Sequence, residues 1–178
     1  MNDTDALISI SKLTPAFLPW TNYAMRPLAI QIALNDMDVN RHHRVIELGS
    51  GLSTVFFAEY LAKVGGTLVT IDHDRLWLDH VKGWMSQPAA AVTKFIHAPL
   101  EDAEFENQPV RWYSREKVMS ALQFSGGTDL LVVDGPPAFD RATCLNRGPA
   151  FQNLVLLLAP GCTIILDDAN RPGERLIA

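Results

Sequence analysis

The chain has 178 residues, 48% of them hydrophobic and 20% charged, with a formal net charge of -5. That length suits one domain with a proper core, and the composition excludes a disordered chain, a collagen-like repeat and a coiled coil. A net negative field repels phosphate backbones, so no nucleic-acid partner is expected, and no apolar stretch approaches the ~20 residues needed to span a bilayer.

The first twenty-one residues read as an irregular arm, interrupted by Pro15 and Pro19, with Phe17, Leu18 and Trp20 apolar. No positively charged start leads into an apolar run there, so no signal peptide is read. Cys144 and Cys162 are too few for a disulfide framework, and a reduced cytoplasm is the expected compartment. A helix follows within 22–40, with Pro27 in its first turn and Leu28 and Ile32 on its inner face.

From Arg44 onward the pattern alternates. Arg44–Leu48 reads as a first strand and Ser53–Val64 as a helix stopped by Gly65 and Gly66. Thr67–Asp72 is a second strand, Asp74–Met85 a helix, and Val92–His97 a third strand. Pro99–Tyr113 reads as a loop or small insertion beside the site. A helix over Ser114–Phe124 leads to a fourth strand, Thr128–Asp134, and a helix from about Pro149 leads to a fifth, Cys162–Asp167. Short apolar runs alternating with amphipathic helices predict βαβ units. The expectation is one α/β domain over 1–178: a Rossmann-like, doubly wound parallel sheet of about five strands in order 3-2-1-4-5, its core spanning 44–178.

In such sheets ligands bind beyond the carboxyl ends of the strands. Four strands finish with an acid at or beside that end: Glu47, Asp72, Asp134 and Asp167. Four carboxylates on one edge repel one another unless a ligand, a metal or hydrogen-bond donors balance them, which marks a functional site. In the first turn, Gly49 and Gly51 allow a sharp bend and close approach of a ligand. Thr54 stands where the dinucleotide fingerprint has its third glycine. Asp74 is placed to cap the following helix, which leaves Asp72 free for a pair of ribose hydroxyls. His42 and His43 are read as solvated, His97 as a hydrogen-bonded structural residue, and the loop arginines Arg141 and Arg147 as solvated in preference to binding an anionic acceptor. Trp20, Tyr23, Trp112 and Tyr113 are read as either acceptor-pocket walls or ordinary packing.

The segments ELGSGLST, TIDHD, HAPLED, VVDGPP and ILDDANR, in that order, resemble class I S-adenosylmethionine-dependent methyltransferases, in particular a small bacterial subgroup with the architecture of the catechol O-methyltransferase-like enzymes. The resemblance runs from Arg44 to Arg171. It implies S-adenosyl-L-methionine as cofactor and methyl transfer to a small-molecule acceptor, at oxygen. It places Gly49 and Gly51 under the methionine part of the cofactor, with Ser50, Ser53 and Thr54 in the same turn and Glu47 near the amino group. Asp72 would hold the ribose, His73 would lie beside the adenosine, and Pro99 and Leu100 would border the adenine. Asp134 would lie at the centre, near the methyl acceptor, as the candidate catalytic residue.

Catechol-type enzymes place an Asp after the fourth strand and an adjacent Asp-Asn pair after the fifth. Here Asp168 is followed by Ala169, with Asn170 one residue late. A divalent metal on Asp134, Asp168 and Asn170 is therefore not favoured; the other reading has Asp167 and Asp168 capping the next turn and pairing with Arg171 or Arg175. Two other functions stay open. One is an NAD(P)-dependent oxidoreductase, for which Gly49, Gly51 and Asp72 would serve and against which Thr54 argues. The other is a non-catalytic cofactor-binding or interaction protein with the same fold. Eleven residues follow Asp167, too few for the antiparallel strand pair that usually closes this class of sheet. The fifth strand is then an uncovered edge: either the chain is shortened relative to its relatives, or a partner subunit, as in a homodimer, covers it.

Overall fold

The computed structural model describes residues 2–14, 17–122 and 127–178. The chain begins with a helix, α1 (Asp3–Ile10), where an irregular arm was expected. The Asn2 side chain accepts from the Asp5 amide and the Asp5 carboxylate accepts from the Asn2 amide, a reciprocal cap. Eight residues are too few for a stable isolated helix. Docking supplies the rest: Ala6 and Ile10 are buried, and Asp3 accepts from the Leu28 amide at 3.1 Å while pairing with Arg26. Pro15 and the end of the predicted fourth helix at Phe124 lie outside the described residues.

The second helix, α2 (Pro27–Asn40), starts on Pro27 as predicted. Then come β1 (Arg44–Leu48), α3 (Leu52–Val64), β2 (Thr67–Asp72) and α4 (Arg75–Gly83), where Asp74 caps by accepting from the Trp77 amide. A short α5 (Gln87–Ala91), capped by Ser86, precedes β3 (Thr93–His97). The stretch read as a loop or small insertion is an antiparallel hairpin, β4 (Leu100–Phe105) and β5 (Gln108–Tyr113). Its two-residue turn has both Glu106 and Asn107 at positive φ, as the twist of a tight hairpin requires. Arg111 pairs across it with Asp102 at 2.9 Å. The chain continues through α6 (Arg115–Leu122), β6 (Thr128–Val133), α7 (Pro149–Leu154), a single 3-10 turn over Val155–Leu157, β7 (Leu158–Leu166) and α8 (Pro172–Ile177).

The main sheet runs β3-β2-β1-β6-β7, every neighbouring pair parallel. With β4 and β5 set apart in a separate sheet, β6 and β7 stand where the fourth and fifth of the five expected strands belong, in the spatial order 3-2-1-4-5. Side-chain alternation divides the core between two faces. Val45, Leu68, Leu130 and Val132 pack with α2 and α3, while Ile46, Leu48, Ile71, Leu131 and Val133 pack with α6, α7 and the hairpin's Trp112 and Tyr113. Among the described strands β7 is paired on one side only. No described helix is long and apolar enough to cross a membrane.

His42 corrects an expectation of solvent exposure. It is buried, with Nε2 3.2 Å from both Asp36 Oδ2 and Thr163 Oγ1, and so ties α2 to β7.

Candidate functional site

The strand registers bring the chemistry to one edge. Leu48 lies beside Ile71 and Val133, and Val133 beside Leu166. The ladder continues one step further: the Gly49 amide donates to Ile71, the Asp134 amide to Leu48, and the Asp167 amide to Val133. A cleft of about 370 Å³ opens above these ends, between β1 and its two neighbours. Its floor is Gly49–Ser53, one wall is Asp72, His73 and Trp77, and the other is Asp134, Gly135, Pro137, Asp167 and Asp168. The segment Thr21–Met25 and Phe139 close the top.

Gly49 has φ +91°, and a Cβ there would lie 2.8 Å from the backbone of Asp134 and Gly135. The turn is pinned from the other side. The Ser50 amide donates to Asp72 Oδ2 at 3.0 Å, and the Trp77 indole N–H donates to the Ser50 carbonyl at 2.7 Å. Asp72 also accepts from the Asp74 amide at 2.8 Å. A carboxylate offers about four lone-pair sites, so Asp72, which lines the cleft, retains acceptor capacity on Oδ2. His73 Nδ1 lies 3.2 Å from Asp72 Oδ1, and that neighbouring carboxylate raises the imidazole above its ordinary value.

Not every predicted residue reaches the cleft. Gly49, Ser50, Gly51, Ser53, Asp72, His73 and Asp134 line it; Glu47, Thr54, Pro99 and Leu100 do not. Pro99 and Leu100 lead into the hairpin, where the Pro99 carbonyl accepts from the Ser114 amide. Glu47 is fully buried beneath the turn. Its carboxylate accepts from Ser53 Oγ at 2.6 Å, Thr70 Oγ1 at 2.7 Å and Thr54 Oγ1, and Thr54 in turn accepts from the Gly51 amide. Its role is to brace the turn from below. Thr54 belongs to that brace, which gives the third-glycine position a structural use.

Burial pushes the Glu47 carboxyl up from 4.5 to about 7, against the three hydroxyl donors. A raised carboxyl favours the fold while it is protonated. That contribution is complete below 4.5 and is lost as pH rises through about 7, amounting to about 3 kcal/mol. Glu47→Gln, neutral at every pH, is expected to remove this slope. Urea unfolding at about pH 5 and about pH 8 checks it, and equal slopes in both proteins would mean that Glu47 titrates normally.

The far wall holds a feature the sequence reading missed. Arg147, expected in solvent, is 2% exposed and sits among the acids. Its Nη2 donates to the Asp134 carbonyl at 2.8 Å and lies 3.2 Å from Asp134 Oδ1. Its Nη1 donates to the Asp167 carbonyl at 3.1 Å and lies 3.3 Å from Asp168 Oδ2 and 3.4 Å from Glu174 Oε1. Glu174, on α8, is also fully buried. Burial and the neighbouring carboxylates raise both Asp134 and Asp167, whose carboxylates each bring an oxygen within 4.8 Å of the other. Asn170 is exposed and stands outside this group, whereas Arg171 pairs with Asp168 at 2.8 Å. Arg141 is exposed as expected.

Of the four aromatic candidates, Tyr23 and Tyr113 line the cleft and Trp20 and Trp112 do not. Tyr113 is buried, and its hydroxyl has no hydrogen-bond partner among the described residues. It lies directly over Gly135, where a Cβ would come within 2.2 Å of it. Tyr23 packs on Phe139 with ring centroids 5.5 Å apart, and the Arg171 guanidinium lies 5.5 Å from the centre of the Phe139 ring.

Residues 46–169 match the sequence model of a family described as "Methyltransferase domain". Among solved structures, a methyltransferase from Podospora anserina bound to S-adenosylhomocysteine aligns with a TM-score of 0.62 and 16% identity, over 92% of this chain and 62% of that one. An O-methyltransferase from Bacillus cereus in complex with S-adenosylhomocysteine aligns with a TM-score of 0.60 and 19% identity, over 97% of this chain and 68% of that one. The chain thus spans about two thirds of the length of these two proteins, and at such identities the likeness is one of fold. No curated protein matches the chain.

Proposed function

Because this chain belongs to the methyltransferase-domain family matched over residues 46–169, we propose that it transfers a methyl group from S-adenosylmethionine to an oxygen of a small-molecule acceptor. The observation that carries this reading is the line of polar groups along one cleft, from Asp72 past Gly49–Ser53 to Asp134 and Asp167. Two features fit the cofactor. Among the described residues, the buried hydroxyl of Tyr113 has no partner, and a Cβ at Gly51, on the cleft floor, would meet none of them within 4 Å, so the backbone there borders open space. Asp72 would hold the ribose hydroxyls, with His73 and Trp77 on the same wall. Gly49, Ser50, Gly51 and Ser53 would carry the methionine part, and the hydroxyl of Tyr113 would face it.

When bound, S-adenosylmethionine supplies a methyl group already activated on a sulfonium. The residues of the chain have two remaining tasks, to align the acceptor and to take its proton. Tyr23, Pro137 and Phe139 form an apolar mouth at the Asp134 end, suited to the body of a small acceptor. Asp134 and Asp167 form a close acid pair, with oxygens within 4.8 Å of each other, and burial and neighbouring charge raise the affinity of both for protons. The ionised member of such a pair can accept the proton of an acceptor hydroxyl. Arg147 holds the backbone and carboxylate of Asp134 in place for that step.

Calorimetry with S-adenosylhomocysteine and with NAD tests the reading. The expected result is binding of the first alone, weakened more than tenfold, about 1.4 kcal/mol, in Asp72→Ala. Binding of NAD without binding of S-adenosylhomocysteine would overturn the cofactor, and an unchanged affinity in Asp72→Ala would overturn the ribose role.

A further inference from the structure

Asp134, Asp167 and Asp168 each offer an oxygen, and the three lie within 4.8 Å of one another. Carboxylate oxygens converging in this way suit a hard divalent cation. Two of the three residues, however, already face a cation that belongs to the chain. The Arg147 guanidinium is 3.2 Å from Asp134 Oδ1 through Nη2 and 3.3 Å from Asp168 Oδ2 through Nη1, which also lies 3.4 Å from Glu174 Oε1. It is also fixed by bonds to the carbonyls of Asp134 and Asp167. A guanidinium cannot be deprotonated to make room for another positive charge. A metal ion drawing on Asp134 and Asp168 would share their oxygens with a buried like charge. Arg171 adds a second guanidinium at 2.8 Å from Asp168 Oδ2.

We propose that Arg147 is the resident cation of this site, a positioning residue that holds Asp134 and Asp168 in the place a divalent metal would otherwise fill. The chain therefore binds its cofactor without a metal. A consequence for the acceptor rests on the methyltransferase reading above. A metal-held acceptor is gripped through two neighbouring oxygens, whereas a site organised by Arg147 has no ion to chelate them. The substrate class is then an acceptor presenting a single hydroxyl, whose proton passes to the Asp134–Asp167 pair, with no requirement for a vicinal diol.

Titration of the full chain with manganese(II), followed by calorimetry and by melting temperature, tests this without any acceptor. The wild-type protein is expected to bind no manganese in the micromolar range. Its melting temperature and its affinity for S-adenosylhomocysteine should be the same, within about twofold, in millimolar magnesium and in chelator. Arg147→Met should melt lower in chelator and regain several degrees in millimolar manganese, because the uncovered oxygens then take the ion. Arg147→Lys, which keeps the charge, should stay insensitive to cations. One tightly bound manganese per wild-type chain, or a tenfold loss of S-adenosylhomocysteine affinity in chelator, would overturn the proposal. So would an Arg147→Met protein that melts lower yet ignores the ion. If Arg147→Met does not fold, the wild-type and Arg147→Lys measurements decide alone. Failure of S-adenosylhomocysteine to bind in any buffer would fall on the cofactor reading instead, because manganese stoichiometry is measured without it.

Discussion

Arg147→Met is expected to remove about 3–5 kcal/mol of folding stability, the usual consequence of deleting one member of a buried ionic group. The magnitude follows from what is left behind. Glu174 is fully buried, and apart from its ion-pair contacts with Arg147 and Arg171 neither of its carboxylate oxygens has a hydrogen-bond partner among the described residues. Asp134 and Asp168 lose the same partner, and the Asp134 and Asp167 carbonyls lose a donor. Arg111 on the hairpin provides the contrast. Its pair with Asp102 is exposed on both sides, so Arg111→Met is expected to change stability by less than about 1 kcal/mol. Urea denaturation near neutral pH measures both. The Arg147 effect should shrink as the pH falls, because burial and neighbouring charge raise Asp134 and Asp167 and these acids take up protons early in that fall. A loss below about 1 kcal/mol for Arg147→Met would mean that its guanidinium is solvated in the working protein.

Gly49→Ala is expected to be a strongly damaging single-methyl change, and Gly51→Ala, two residues away, the opposite kind of change. At Gly49 the backbone has φ +91° and the added Cβ would sit 2.8 Å from the main chain of Asp134 and Gly135. Neither group is a flexible side chain that can rotate away. The strained conformation alone costs about 1–3 kcal/mol, and relief of the collision would part the ends of β1 and β6. A loss of at least about 2 kcal/mol in stability is expected, together with more than tenfold in S-adenosylhomocysteine affinity. At Gly51 a Cβ meets none of the described residues within 4 Å and the backbone is extended, with φ -175°. Stability should therefore change by less than about 0.5 kcal/mol, while the new methyl enters the cleft and weakens binding. Calorimetry and urea unfolding on both variants separate the effects. Equal loss of stability in the two would contradict the contact between the strand ends.

The strands of the main sheet were legible because each is a short apolar run, and a parallel strand covered on both faces carries that pattern in its own residues. The acids at the strand ends were legible for the same reason: once the strands are placed, their carboxyl ends follow. Elements whose stability lies elsewhere in the chain were harder to read. The helix over Asp3–Ile10 is held by docking on α2, although Asn2 and Asp5 carry the capping pattern that could have pointed to it. The hairpin over Leu100–Tyr113 turns on Glu106-Asn107 at positive φ, a pair with little of the usual glycine signal. Its ends meet the site through Tyr113, which the sequence could only leave between pocket wall and packing.

What the sequence determined by itself was the frame: a parallel α/β sheet, a glycine turn after its first strand, and Asp72, Asp134 and Asp167 at one edge. These depend on periodicity and local turn chemistry, which neighbouring residues impose on one another. The tertiary structure alone decided which acids face the cleft and which are answered from within. Glu47 stands at a strand end like the others, yet the pleat turns it toward α3, where Ser53, Thr54 and Thr70 take up its oxygens. Arg147 reads as a loop arginine until β6, β7 and α8 surround it with Asp134, Asp168 and Glu174. A charge's burial and its partners are set by segments far apart in the chain, and a residue's own neighbours in sequence carry no record of them.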